Sequence, residues 1–259
     1  MLVGVIHLPP LPGSPRASLT ATECARSAAA CARSLVDAGY DAIIVENFGD
    51  VPFFAGRVPA ITVAAMTACA LAVREAAPDV ELGINVLRND AESALGVALC
   101  AGARFVRVNV LTGARVTDQG VIEGDAAGLL RSRRALGADG IGIWADVDVK
   151  HSAPLGPARP IAQEVEDTTK RAMAEAVLVT GEGTGKGVDL DKLAAVKEAA
   201  GKTPVLVASG ATLDTLPLLA KHATGVIVGS ALRVGGVPGG AIDATLAKRF
   251  AEAYRRAFA

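Results

Sequence analysis

A short apolar run followed by an Ala-rich amphipathic stretch recurs eight times along the chain, and this alternation restricts the fold more than any other feature. The apolar runs occupy residues 2–8, 41–47, 80–87, 104–110, 140–151, 176–180, 204–209 and 225–228. Most are too short for helices and carry little polar–apolar alternation, so they read as strands buried on both faces of a parallel sheet. The stretches between and after them, 20–38, 60–76, 90–101, 125–135, 160–174, 189–199, 213–220 and 243–257, read as helices. Eight strand–helix units in 259 residues predict an α/β fold, a closed (β/α)8 TIM barrel. An open dinucleotide-binding sheet would need a glycine fingerprint after its first strand. His7-Leu8-Pro9-Pro10-Leu11-Pro12-Gly13 stands there instead and cannot make that turn. No linker or composition shift divides the chain, so residues 1–259 read as one domain.

Local signals agree with the helices. Thr20 with Glu23, and Asn89 with Glu92, have capping-box spacing. Gly39, Gly102 and Gly201 stand just past helix ends. In the last helix Leu246, Phe250, Tyr254 and Phe258 recur every four residues as a core stripe. One connection breaks the repeat. After the fourth strand, 115–117 and 121–123 flank Asp118-Gln119-Gly120, which predicts a small hairpin over the C-terminal mouth.

Composition removes several function classes. Hydrophobic residues make up 51% of the chain and aromatics only 3%, so the core is built from Ala, Val, Leu and Ile. Twenty-six basic and 27 acidic residues leave a formal charge of −1, with no basic tract for a nucleic acid or an anionic membrane. No apolar stretch reaches the roughly eighteen residues of a membrane span. The apolar start has no basic flank and contains four prolines, unlike a signal peptide, so a cytoplasmic protein is expected. Cys24, Cys31, Cys69 and Cys100 form no C-x-x-C pair and read as small buried hydrophobes in a reducing compartment. Neither a nicotinamide fingerprint nor a set of aromatics for a flavin is present, and no cofactor is expected.

Chemistry in such barrels sits at the C-terminal ends of the strands. On the fifth strand, alternation places Trp144, Asp146, Asp148 and Lys150 on one face, opposite Ile143, Ala145, Val147 and Val149. The charged face is expected to point into the lumen, where ions are costly unless paired or used. Asp146 is accordingly an acid/base candidate or one half of a salt bridge with Arg107. Lys150 is a candidate for oxyanion stabilisation or Schiff-base formation. Either Glu46 or Asn47 must face the axis; Glu46 is the natural general base and Asn47 a substrate-binding group. His7 closes the first strand as an acid or base. Asn85, Arg107, Asn109, Asp148 and His151 are expected to bind a polar ligand. His7, Asp148 and His151 are metal-ligand types, but no local spacing joins them, and no metal is assigned.

Three successive strand ends are rich in small residues: Gly183, Thr184, Gly185 and Lys186 after the sixth, Ser209, Gly210 and Ala211 after the seventh, and Gly229 and Ser230 after the eighth. Such turns expose main-chain N–H groups, and together they predict a phosphate-binding rim.

Several stretches resemble the BtpA family, also called the BtpA/SgcQ family: residues 6–15 (IHLPPLPGSP), 44–53 (IVENFGDVPF), 116–124 (VTDQGVIEG), 145–151 (ADVDVKH), 184–186 (TGK) and 225–230 (GVIVGS). The resemblance implies a TIM barrel of the phosphate-binding kind. It also brings a name tied to photosystem I biogenesis in photosynthetic members, hence a non-catalytic assembly factor as the alternative to an enzyme. The enzyme reading predicts an isomerase, lyase or glycosidic-bond-cleaving activity on a phosphorylated sugar or nucleoside-like compound. A homo-oligomer is expected.

Overall fold

Side chains on both faces of each strand are apolar, so both faces must be covered. A computed structural model of the chain, which describes residues 1–181 and 187–259, shows how. Eight parallel strands close into a barrel: β1 (Leu2–His7), β2 (Ala42–Glu46), β3 (Glu81–Asn85), β4 (Phe105–Val108), β5 (Gly142–Val147), β6 (Ala176–Val179), β7 (Val205–Val207) and β8 (Gly225–Val228). Neighbours pair in chain order, and β1 closes the ring by lying between β2 and β8, with Gly4 opposite both Ile43 and Val228. Helices α1 (Ala21–Ala38), α2 (Ala60–Ala76), α3 (Ala91–Cys100), α4 (Ala126–Ala135), α5 (Ile161–Glu166), α6 (Leu190–Ala200), α7 (Leu216–Leu219) and α8 (Ala244–Ala257) follow the strands in turn.

Alternation sorts the strand residues into two cores. Leu2, Ile6, Ile43, Val45 and Ile143 face the helices, whereas Val3, Val5, Ile44, Leu178, Leu206 and Ile227 fill the lumen. Phe105 and Trp144 stack in the lumen, with ring centroids 3.6 Å apart and planes 9° apart. That stack needs Gly83, since a Cβ there would run into the Phe105 ring. Above these apolar layers the inward positions become polar: His7 on β1, Glu46 on β2, Asn85 on β3, Arg107 on β4 and Asp146 on β5. The strands thus gather their inward polar groups near one end.

The helix ends follow their local signals, with exceptions. The Thr20–Glu23 capping box forms, and Gly39 ends α1 at φ 79°. Tyr254, buried with Phe250 in α8, accepts a hydrogen bond from the N-terminal ammonium at 2.6 Å and so ties α8 to the base of β1. The Asn89–Glu92 box does not form. Asp90 caps α3 instead, because the Asn89 amide is taken by the main chain of Val110. Cys100 is exposed, against expectation, since it faces outward on the last turn of α3; the other three cysteines are buried. The expected 213–220 helix shrinks to Leu216–Leu219, preceded by a turn in which Thr212 and Thr215 bond each other. The hairpin forms from Ala114–Thr117 and Gly120–Glu123, and Ala153–Pro154 adds a third strand from the β5 loop. Among the described residues no helix is long and apolar enough to cross a membrane.

Candidate active site

A buried ion pair organises the floor of the mouth. Arg107 donates from Nε and a terminal nitrogen to the two oxygens of Asp146, each at 3.1 Å, and its other terminal nitrogen lies 3.8 Å from Glu46. Asn109 donates to Asp146 at 2.6 Å, and Asn85 donates to the Arg107 carbonyl and to Asn109 Oδ1. Burial alone would make the guanidinium easier to deprotonate, but the charges of Asp146 and Glu46 reverse this and hold its pKa above the usual value.

His7 stands beside this network, stacked on Phe48 and with Nε2 4.0 Å from Glu46. Gly229 permits this approach, since a Cβ there would crowd the imidazole at 3.1 Å. The Gly239 N–H donates to Nδ1 at 3.1 Å, so Nδ1 is the acceptor and the proton of the neutral ring belongs on Nε2. Burial, with Arg233, Lys150 and Arg107 nearby, pushes the imidazole well below its usual pKa. At neutral pH His7 is therefore an uncharged donor facing Glu46.

Above the ring the mouth opens into two connected spaces. The larger, 930 Å³, is walled by Phe48, Phe53, Leu87, Arg88, Asn109, Gln119 and His151. The smaller, 280 Å³, lies between the 209–212 and 229–231 turns, with His7 and Val5 behind. Glu46, Phe48, Arg107 and Lys150 border both. Among the described residues the smaller space thus has two cations, one carboxylate and two turns of small residues on its walls. Ser209 Oγ accepts the Gly181 N–H at 3.1 Å, which anchors the β7 turn to the end of β6.

Lys150 reaches this boundary by an irregular path. β5 ends at Val147, and Asp148 and His151 both have positive φ, 47° and 57°. The Lys150 N–H donates to Thr180 Oγ1 at 2.9 Å, and its carbonyl accepts from Arg88 at 2.7 Å. Burial and the nearby Arg107 lower the lysine's pKa, with Glu46 and Asp146 opposing them.

The sequence matches the BtpA family model over residues 1–256. The chain belongs to the BtpA family. It is 45% identical over 254 residues to the photosystem I biogenesis protein BtpA of Synechocystis, a match covering 97% of this chain and 87% of that protein. An uncharacterised Thermococcus kodakarensis protein is 44% identical over 88% of this chain and 85% of its own length. Among solved structures, the alpha subunit of tryptophan synthase from Legionella pneumophila superposes with TM-score 0.62 at 16% identity, covering 100% of this chain and 92% of that one. KGPDC from Streptococcus mutans gives 0.61 at 14%, covering 100% and 98%. These likenesses are of fold.

Within this BtpA-family barrel, Glu46, Arg107 and Lys150 come together at the boundary of the two spaces, and His7 stands beside them on the wall of the smaller one. Asn109 and His151 border the larger space, and Ser209, Gly210, Ala211, Gly229 and Ser230 the smaller. Gly183, Thr184, Gly185 and Lys186 lie outside the described residues. Four expectations need correction. Asp148 does not point into the lumen with Asp146. The left-handed backbone turns it toward Arg115 of the hairpin and Lys192 of α6, and it bonds both. It therefore joins neither His7 nor a substrate surface. Asn47 faces away from the axis and holds the Leu87 N–H at 2.7 Å. Asp146 borders neither space, and Arg107 and Asn109 occupy both its oxygens, so it positions Arg107. Asn85 is likewise buried under Arg107 and Asn109. Sequence reasoning misses Arg88 and Arg233, since neither lies on a strand. Arg233 is buried and donates to the carbonyls of Val5, Gly229 and Gly240, fastening the last loop to β1.

Proposed function

We propose that the chain is an enzyme acting on a phosphorylated small molecule, with the phosphate in the smaller space. The observation that carries this reading is the composition of that space's wall: two turns of small residues, 209–212 and 229–231, facing Lys150 and Arg107 with Glu46 as the sole carboxylate among its described lining residues. Turn amides and the Lys150 ammonium suit a phosphate dianion. One structural neighbour, N-(5'-phosphoribosyl)anthranilate isomerase from Pyrococcus furiosus, is in line with a phosphorylated ligand in such a barrel.

With the phosphate held there, the reacting atoms of the ligand come to the boundary bordered by Glu46 and Lys150, with His7 beside it on the wall of the smaller space. Glu46 is the proton acceptor. His7, uncharged, donates from Nε2 to a carbonyl or hydroxyl oxygen, and Lys150 stabilises negative charge on that oxygen or forms an imine with the carbonyl. Isomerisation, carbon–carbon cleavage or glycosidic cleavage would each use this set.

The 45% identity to a photosystem I biogenesis protein supports a second reading, a non-catalytic assembly factor. Such a factor has no need for an open cavity walled by buried ions. A thermal-shift series with inorganic phosphate and sugar phosphates tests the first reading. A ligand at 100 times its Kd stabilises by about 2.7 kcal/mol, about 5 °C for a chain of this size. Glu46→Gln should keep that shift and lose turnover. No shift with any phosphorylated compound at millimolar concentration would remove the reading.

A further inference from the structure

Arg88 differs from the other buried arginines around the mouth. Arg107 is paired with Asp146 and Glu46, Arg115 with Asp148 and Glu164, and Arg233 spends its donors on three carbonyls. Arg88 is only 7% exposed, and its guanidinium has one hydrogen-bond partner among the described residues, the Lys150 carbonyl. No carboxylate among the described residues lies within 4.0 Å of it, and the residue borders the larger space. Its backbone is held firmly. The Arg88 N–H donates to the Phe54 carbonyl at 3.2 Å, and Asn47 accepts the N–H of the preceding Leu87 at 2.7 Å. Burial lowers the arginine's pKa and the charge of Arg107 adds to this, against the pull of Asp146, Glu46 and Asp118, the last of which also borders the larger space; an anion at the fork would relieve it.

A buried guanidinium on a cavity wall, with donors to spare among the described residues, is built to receive an anion. We infer that the larger space holds a second anionic group, a carboxylate or a second phosphate, received by Arg88. The ligand is then doubly anionic, with one group in each space and its reacting centre over Glu46 and Lys150 between them. The first anion rests on the phosphate reading above; the second rests on Arg88.

The test is calorimetric titration of the wild-type chain and Arg88→Gln. The probes are glucose 6-phosphate, with one anionic group, and 3-phosphoglycerate, 6-phosphogluconate and fructose 1,6-bisphosphate, with two. At least one doubly anionic probe should bind the wild type about tenfold or more tightly than glucose 6-phosphate, the gain expected of a charge-assisted pair. Arg88→Gln should erase that advantage and leave glucose 6-phosphate within about twofold. The phosphoglycerate and phosphogluconate arms distinguish a carboxylate from the second phosphate of the bisphosphate. No advantage for any of the three in the wild type overturns the inference, even if the variant does not fold, and so does an advantage that survives Arg88→Gln. Stabilisation by inorganic phosphate, measured on the same wild-type sample, tests the phosphate reading separately. Its presence without a doubly anionic preference sinks the Arg88 site alone; its absence, with no stabilisation by any of the sugar phosphates either, sinks the phosphate reading.

Discussion

Asp146→Asn is the substitution whose cost follows most directly from the geometry. Asp146 is fully buried at its side chain and accepts three hydrogen bonds, two from Arg107 and one from Asn109. An amide in its place keeps one acceptor oxygen and turns its nitrogen toward donors on Arg107 or Asn109. It also leaves Arg107 with Glu46, 3.8 Å away, as its one remaining carboxylate among the described residues. Removing one partner of a buried pair costs about 3–5 kcal/mol. At about 2.1 cal/mol/K per residue, that is a fall in Tm of roughly 6–9 °C for this chain. Urea denaturation followed by circular dichroism measures it. Arg107→Met combined with Asp146→Asn should recover much of the loss, because the stranded charge goes with its partner. A single variant that loses less than about 1 kcal/mol would refute the claim that Asp146 exists to hold Arg107.

Other expectations follow from the same contacts. Gly83→Val should destabilise the barrel by several kcal/mol, roughly the cost of overpacking a tight core, because its Cβ enters the Phe105 ring; thermal melting reads this. For His7, the unfolded imidazole protonates near pH 6.5 while the folded one resists to much lower pH. The unfolded state therefore binds more protons in that window, and stability falls as pH drops below about 6.5; His7→Gln should flatten the fall seen by denaturation at stepped pH, leaving the part due to His151. Asp148→Asn should cost about 1 kcal/mol, since the carboxylate is partly exposed, and should raise protease cleavage in the 114–123 hairpin by leaving Arg115 with only Glu164 and Ser152 among the described residues. Burial pushes the Asp148 carboxyl up, but the Lys192 and Arg115 bonds together outweigh it and hold the group below its usual pKa. That contribution is present above about pH 4 and lost as pH falls through the lower, folded value.

The barrel is legible because its signal is periodic. Eight apolar runs and eight Ala-rich stretches specify the order and sense of every strand, and alternation correctly turns Asp146 inward, where it meets Arg107. Alternation holds only while the chain is extended. β5 ends at Val147, and the left-handed Asp148 breaks the count, so extrapolation along the strand sends Asp148 inward when it turns toward the hairpin and α6. Lys150 still reaches the mouth, but through bonds from Thr180 and Arg88 that no local pattern announces. Arg88 and Arg233 sit on connections and are invisible for the same reason: their roles depend on carbonyls and cavities supplied by distant segments. Glu46 is distinguished from Asn47 only by the register of β2 against β1 and β3.

The central claim is that the turns after β7 and β8 capture a phosphate group. A crystal structure of the chain soaked with inorganic phosphate, in a sulfate-free form, addresses it directly. The account predicts a tetrahedral anion between residues 209–212 and 229–231, within reach of the Gly210, Ala211 and Ser230 main-chain nitrogens. An empty smaller space with phosphate bound elsewhere, or turn amides directed away from it, would contradict it.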